Sequence, residues 1–137
     1  MVVTEGAPAP CLYIGNNVNI EQNVHIVCGG SIWIGDNVSL TTNVAIVDVN
    51  HPYEDIADTS KIADRIECVG NYVEIGEGTC IGLGSIIMPN VRIGRRVMIG
   101  SHSLVNCDIP DYSVAVGNPA RVIKRYDFDL KEWVKVA

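Results

Sequence analysis

A six-residue period runs through most of this chain. Ile-Gly pairs stand at 14–15, 34–35, 75–76, 81–82, 93–94 and 99–100. Ile14, Ile20 and Ile26 open three hexads, and Ile34, Leu40 and Ile46 open three more after a two-residue slip near Ser31–Trp33. Val69, Ile75, Ile81, Ile87, Ile93, Ile99 and Val105 open the last seven. The fifth place is small or β-branched, as at Val18, Val38, Val73, Thr79, Ser85 and Ser103. An amphipathic helix needs apolar residues three and four apart, so this period excludes it. Two-residue alternation fails as well, because the third and sixth places are freely polar. A short strand and a turn per hexad remain, with one large apolar side chain pointing inward. Three hexads then close one triangular coil of about 18 residues, and stacked coils bury a continuous column. Gly in the second place predicts close approach of a neighbouring backbone, or unusual dihedrals.

That column has to be aliphatic. Of 137 residues, 47% are hydrophobic but only 6% aromatic, with a single Phe. A chain of this length reads as one domain, residues 1–137, with the solenoid over about 12–124. The net charge of −6 argues against a nucleic-acid partner, which calls for a basic face. No run of about 18 apolar residues offers a membrane span. Met1–Glu5 has neither the basic start nor the apolar stretch of a signal peptide. The five cysteines, Cys11, Cys28, Cys68, Cys80 and Cys107, are odd in number and form no C-x-x-C pair. They read as reduced thiols of a cytoplasmic protein, acting as small apolar residues in the interior.

The register breaks at length only once. After Ile46 the next hexad would open at Pro52, and His51–Cys68 is instead charged and polar. A loop this long in a compact repeat is an excursion, usually a functional one. His51 is the last residue before it, at a corner with its side chain outward, and imidazole is the commonest general base.

These hexads, with Ile34-Gly-Asp-Asn-Val38, Asn50-His51-Pro52, Met88-Pro-Asn-Val-Arg-Ile-Gly94 and Asp108–Lys124, resemble the hexapeptide-repeat acyltransferase family. The likeness is nearest to its galactoside/maltose-type and polysaccharide-modifying O-acetyltransferases. It implies an all-β fold, a left-handed parallel β-helix, whose hand runs against the right-handed rule for parallel crossovers. It also implies acetyl-CoA as acyl donor, a sugar-type acceptor, and a homotrimer with sites between subunits. A groove between two prisms suits the long pantetheine arm better than one coil surface does.

By resemblance His51 is the general base and the Leu83 N–H of a neighbouring subunit stabilises the oxyanion. Ser101, Asn106 and Cys107 lie along the pantetheine and nucleotide track, and Gly117-Asn-Pro119-Ala-Arg121 with Lys124 matches the coenzyme segment. The chain departs from the family pattern at Cys107, where a Lys is usual, and at Cys80, where Trp is common. Asn19 and Glu21 fall at acceptor-binding positions, Glu21 as a partner for a sugar hydroxyl or for His51. His25, His51 and His102 include no short pair of the kind zinc requires, so no metal is expected and His25 and His102 read as surface residues. The last residues, 125–137, leave the hexad frame; a short C-terminal helix capped by Asp127 or Asp129 is expected. Phe128 and Trp133 would cover one open end of the solenoid, and Pro8 and Pro10 the other. Two other readings stand beside O-acetylation. One is N-acetylation of an amino sugar or of serine; the other is a non-catalytic scaffold that keeps the solenoid alone.

Overall fold

The computed structural model describes residues 9–136 and shows a three-faced left-handed parallel β-helix. Its first coil carries β1 (Cys11–Ile14), β2 (Asn19–Ile20) and β3 (His25–Val27). The second carries β4 (Ser31–Ile34), β5 (Ser39–Leu40) and β6 (Ala45–Val47). The third carries β7 (Tyr72–Ile75), β8 (Cys80–Ile81) and β9 (Ile86–Ile87), and the fourth β10 (Val91–Ile93), β11 (Met98–Ile99) and β12 (Leu104–Val105). A bridge between Ile93 and Ile109 starts a last partial coil, which ends in β13 (Ser113–Gly117). The first face is β1-β4-β7-β10, the third is β12-β9-β6-β3, and the second runs from β2 through β5, β8 and β11 to β13.

The hexad frame sets this stack. Ile34, Leu40, Ile46, Ile75, Ile81, Ile87 and Ile99 are fully buried in one column with Val38, Val44 and Val73. Each such side chain contributes roughly 1.5–3 kcal/mol by leaving water. Where the fifth place is Thr79, Ser85 or Ser103, the hydroxyl donates to a corner carbonyl, as from Thr79 to Gly94 at 2.8 Å and from Ser85 to Gly100 at 2.9 Å. Thr79 Oγ1 and Ser85 Oγ in turn accept the Val97 and Ser103 N–H groups. Small residues there answer backbone groups at the corner as well as filling space.

The turn itself is made by the fourth place. Asn17, Asn23, Asn37, Asn43 and Asn90 all take a left-handed φ near +60°, as do Gly78 and Gly84. Asn tolerates that region better than other side chains do. The second-place glycines serve only the close approach. A Cβ on Gly82 would lie 2.5 Å from the Ile99 carbonyl oxygen.

Several expectations change. The C-terminal segment is not helical: β14 (Ala120–Asp127) turns back antiparallel on β13, and β15 (Glu132–Lys135) pairs with β14. Asp127 does cap a turn, its Oδ1 accepting the Asp129 and Leu130 N–H groups at 2.9 Å, but that turn joins two strands. Phe128 and Trp133 therefore lie on the second face instead of over an open end. At the other end Ile14 and Ile20 stay 41% and 47% exposed; Pro10 is half-buried and Pro8 falls outside the described residues. Val69 is 65% exposed, in the turn that re-enters the helix. Cys11 and Cys107 are exposed and the other three thiols half-buried, because cysteines fall at corners and on outer strand positions.

Candidate active site

The long excursion leaves and returns through one pair of hydrogen bonds. Asn50 and Glu67 exchange N–H and carbonyl at 2.9 Å each way. Beneath this neck sits Asp48, fully buried, its two oxygens accepting the Gly29 and Gly30 N–H groups at 2.7 and 2.8 Å. Asn71 closes the neck from the return side, donating to the Asp48 and Glu67 carbonyls. Every polar atom of this buried group thus has a partner, which is what lets a carboxylate lie inside.

Inside the loop one arginine does most of the holding. Arg65 Nη2 donates to the Asp58 carbonyl at 2.7 Å and the Ser60 carbonyl at 2.8 Å, while Nε donates to Ser60 Oγ at 3.2 Å. The Ser60 hydroxyl and N–H donate to Asp58 and hold its carboxyl below the usual carboxylate range, with the Arg65 charge adding less. The Arg65 carbonyl is turned to His51, 2.9 Å from Nδ1. A carbonyl only accepts, so Nδ1 carries the proton and Nε2 is left with the lone pair. The ring is exposed, as a base that must meet a substrate requires.

The other expected residues occupy two corners. Leu83 sits where the second face turns into the third, and among the described residues no group accepts its N–H. Its carbonyl accepts the His102 N–H at 2.7 Å, from the coil above. Ser101 lies in that same upper corner, exposed, beside His102. Asn106 and Cys107 lie past β12, on the corner column that His51 leaves from. Cys107 Sγ is 3.9 Å from Arg121 Nη1, so this pair is brought together, although the guanidinium also donates to the Ala120 carbonyl at 2.7 Å. Pro119 follows a cis bond in the turn between β13 and β14, and Lys124 lies on β14 opposite Val114.

Asn19 is exposed on β2, and Glu21 is engaged: its Oε2 accepts the Thr42 N–H and hydroxyl, both at 3.0 Å. It is the Arg65 carbonyl that contacts the His51 ring. His25 and His102 are exposed. Burial first, then the Asp48 charge, raises the Cys28 thiol pKa; burial and then Glu21 raise that of Cys80. Both shifts favour the protonated, unreactive thiol. Among the described residues no three His, Cys, Asp or Glu side chains group as metal ligands.

His51 and Leu83 stand at opposite edges of the third face. About five residues of extended chain, roughly 15 Å at about 3.3 Å each, separate the two corners. One chain alone does not bring base and N–H donor to one point.

Sequence reading missed Asp48, Arg65 and Asn71. Two of them carried a signal, since Asp48 is a charge directly after the last buried strand of a coil, and Arg65 is the one arginine of the loop.

Residues 72–107 match the family model for the bacterial transferase hexapeptide (six repeats). A maltose O-acetyltransferase from Clostridium difficile 630 is 37% identical with a TM-score of 0.68, and the match covers 84% of this chain and 70% of that one. The chain belongs to the hexapeptide-repeat transferase family. A second member of the family is the acetyltransferase VCA0836 from Vibrio cholerae, solved with acetyl coenzyme A; it is 27% identical with a TM-score of 0.76, covering 85% of this chain and 64% of its own. WbbJ of Escherichia coli K12, named for O-acetyl transfer in lipopolysaccharide biosynthesis, is 30% identical over 128 residues. That match takes in 90% of this chain but 65% of WbbJ, so the chain spans less than two thirds of that relative.

Proposed function

We propose that this chain transfers an acetyl group from acetyl-CoA to a hydroxyl of a sugar or polysaccharide precursor. The bond from His51 Nδ1 to the Arg65 carbonyl carries the reading, because it fixes the tautomer that leaves Nε2 free. Nε2 takes the proton of the acceptor hydroxyl as its oxygen attacks the thioester carbonyl. The Leu83 N–H of a neighbouring subunit steadies the oxyanion of the tetrahedral intermediate. Collapse breaks the carbon–sulfur bond, and the departing thiolate recovers the proton from His51, giving the acetyl ester and free coenzyme A. No covalent intermediate on the enzyme is required, which agrees with the raised thiol pKa of Cys28 and Cys80.

Ser101, Asn106, Cys107, Pro119, Arg121 and Lys124 are assigned to the coenzyme, and Asn19 and Glu21 to the acceptor. The separation of His51 from Leu83 supports a homotrimer with shared sites. A cytoplasmic location, where acetyl-CoA is made and thiols stay reduced, belongs to the same reading. Among the described residues no helix is long and apolar enough to cross a membrane. The acceptor class follows the relatives named for maltose and for lipopolysaccharide.

The test is release of thiol from acetyl-CoA across sugars and amino sugars, with His51→Ala beside the wild type. Loss of turnover by about 10²–10⁴-fold with coenzyme binding kept is the expected result. Near-full activity in the variant would reject the base assignment. Preference for an amine would move the reading to N-acetylation, and no turnover without coenzyme binding would leave a scaffold.

A further inference from the structure

The hairpin of β14 and β15 returns over the second face, and a groove of about 380 Å³ lies between the two. Tyr112, Tyr126, Phe128 and Trp133 form its walls, over a floor that includes Met98 and Val114. Half of this chain's eight aromatic side chains thus stand at one place. Phe128 meets Tyr112 and Tyr126 edge to face, with ring centres 4.9 and 4.8 Å apart, and this contact holds the walls in position. Phe128 and Trp133 nevertheless stay 61% and 46% exposed, so packing of the hairpin leaves much of both rings open. Among the described residues no group bonds the Tyr112 and Tyr126 hydroxyls, and no buried hydroxyl lacks a partner, so both reach solvent. The walls therefore offer apolar ring faces with a polar rim.

One cation and no carboxylate line this groove. The cation is Arg96, at the corner between the first and second faces. Its side chain lies across Gly78, where a Cβ would stand 2.6 Å from Arg96 Cδ and 3.2 Å from Nη1. The bare glycine leaves the space in which the guanidinium is seated. Arg65 and Arg92 are paired with Asp58 and Glu74, whereas among the described residues Arg96 has no ion pair. Its planar fork is left for a ligand. The corner that bears His51 lies at the far edge of the first face, so the groove stands apart from the proposed base.

We propose that this groove holds a carboxylate-bearing sugar unit of the acceptor chain, its ring against the aromatic walls and its carboxylate on the Arg96 guanidinium. A sugar ring has an apolar C–H face and a rim of hydroxyls, which matches walls made of ring faces with phenol hydroxyls at their edge. The single guanidinium selects the charge. A cationic ligand, which an aromatic cage otherwise suits, is repelled by Arg96. A carboxylate meets the guanidinium fork through two parallel hydrogen bonds and needs no second cation. The volume is at the small end of ligand pockets, the size for a sugar unit and not for a large cofactor. Because the groove stands apart from His51, the unit it holds is not the one acetylated but another of the same chain. The inference rests on the reading of a polysaccharide acceptor and adds to it an acidic sugar and a second point of attachment.

Trp133 reports on the site directly. The chain has two tryptophans, so a Trp33→Phe background leaves Trp133 alone. Its fluorescence is titrated with short oligomers of galacturonate, of glucuronate and of N-acetylneuraminate, with their methyl esters, with maltotetraose and with coenzyme A. Saturable change with at least one acidic oligomer is the expected result, weakened about 10-fold or more by methyl esterification and by Arg96→Gln. Arg96→Lys should fall between, and Phe128→Ala should weaken acid and ester alike. The ester comparison leaves Arg96 and the groove unaltered, so it decides the point even if a groove variant fails to fold. No response to any acidic oligomer at millimolar concentration overturns the proposal. So does equal binding of acid and ester, which removes the carboxylate, and so does displacement of the oligomer by coenzyme A with the same dependence on Phe128. A response that appears only as protein concentration rises, with a solution mass that Phe128→Ala lowers, makes the groove a contact between copies and overturns it too. Binding is read without turnover, so a chain inactive toward sugars can still show this site, and an active one can lack it.

Discussion

In Arg65→Ala the loop keeps its backbone but loses its internal strut. Three hydrogen bonds disappear, to the Asp58 carbonyl at 2.7 Å, the Ser60 carbonyl at 2.8 Å and Ser60 Oγ at 3.2 Å. At a net contribution of about 0.7–1 kcal/mol each, they amount to roughly 2–3 kcal/mol. The ion pair with exposed Asp58, at 3.4 Å, adds little after screening. All of these bonds lie within the excursion, so the loss falls on loop order and not on the aliphatic column. The residue that turns its carbonyl to His51 is the one whose side chain has gone. If the whole loss is felt there, the held His51 geometry falls by roughly 30- to 150-fold in population, and turnover follows. KM for acetyl-CoA should move less than kcat, and Tm should stay within about 2 °C. Arg65→Lys keeps the charge but not the fork, and should fall between. Thiol release and thermal melting check both. Turnover within twofold of wild type in Arg65→Ala, alongside an inactive His51→Ala, would show that the guanidinium does not place the carbonyl and would refute this account.

Gly82→Ala should destabilise the fold by about 3 kcal/mol or more, because its Cβ would meet the Ile99 oxygen at 2.5 Å and the Ser101 nitrogen at 2.7 Å. Gly70→Ala, with φ +76° but open space around it, should cost about 1–2 kcal/mol; equal losses in denaturant titration would deny the close approach. Asp58 has its carboxyl pKa lowered from 3.8, so its support of the loop is complete above that value and is lost as pH falls through the lower folded one. Hydrogen exchange of residues 58–65 should therefore stay protected down to about pH 4 and open only below it, and opening near pH 6 would contradict the assignment. Cys107→Lys should tighten coenzyme A more than its dephospho form, as seen by calorimetry, since the new ammonium would join Arg121 on phosphate.

How far the sequence carried depended on which force each element answers to. The buried column was legible because a single large apolar residue recurs at a fixed interval, from Ile34 to Ile99, and burial is periodic wherever the coil is. The excursion at 51–68 was legible as an interruption of that interval. The left-handed fourth place is visible too, in Asn17, Asn37 and Asn90, although the more regular glycines of the second place answer to contact and not to dihedral. The C-terminal hairpin was not legible. Its strands are set by pairing with β13, a tertiary edge, and Asp127 caps a reverse turn with the same carboxylate that would cap a helix. Nor was the His51 contact, since its partner is a backbone carbonyl that any residue at 65 would carry. What selects that partner is the Arg65 side chain folding into its own loop.

The half-exposed first coil gives the molecule a soft end and a hard end. Among the described residues Ile14 and Ile20 have a neighbouring coil on one side only, whereas β11 is flanked on both sides and the hairpin pins the far edge. Fraying in such a stack starts where a coil has one neighbour and advances inward. The first bonds it meets are those from Gly29 and Gly30 to Asp48, directly beneath the neck of the His51 loop. Opening of the first coil therefore unseats a buried carboxylate in the second, and an unpaired carboxylate does not stay inside. Whatever stiffens the first coil, whether further chain or a neighbour laid against its edge, stiffens the neck on which the histidine stands.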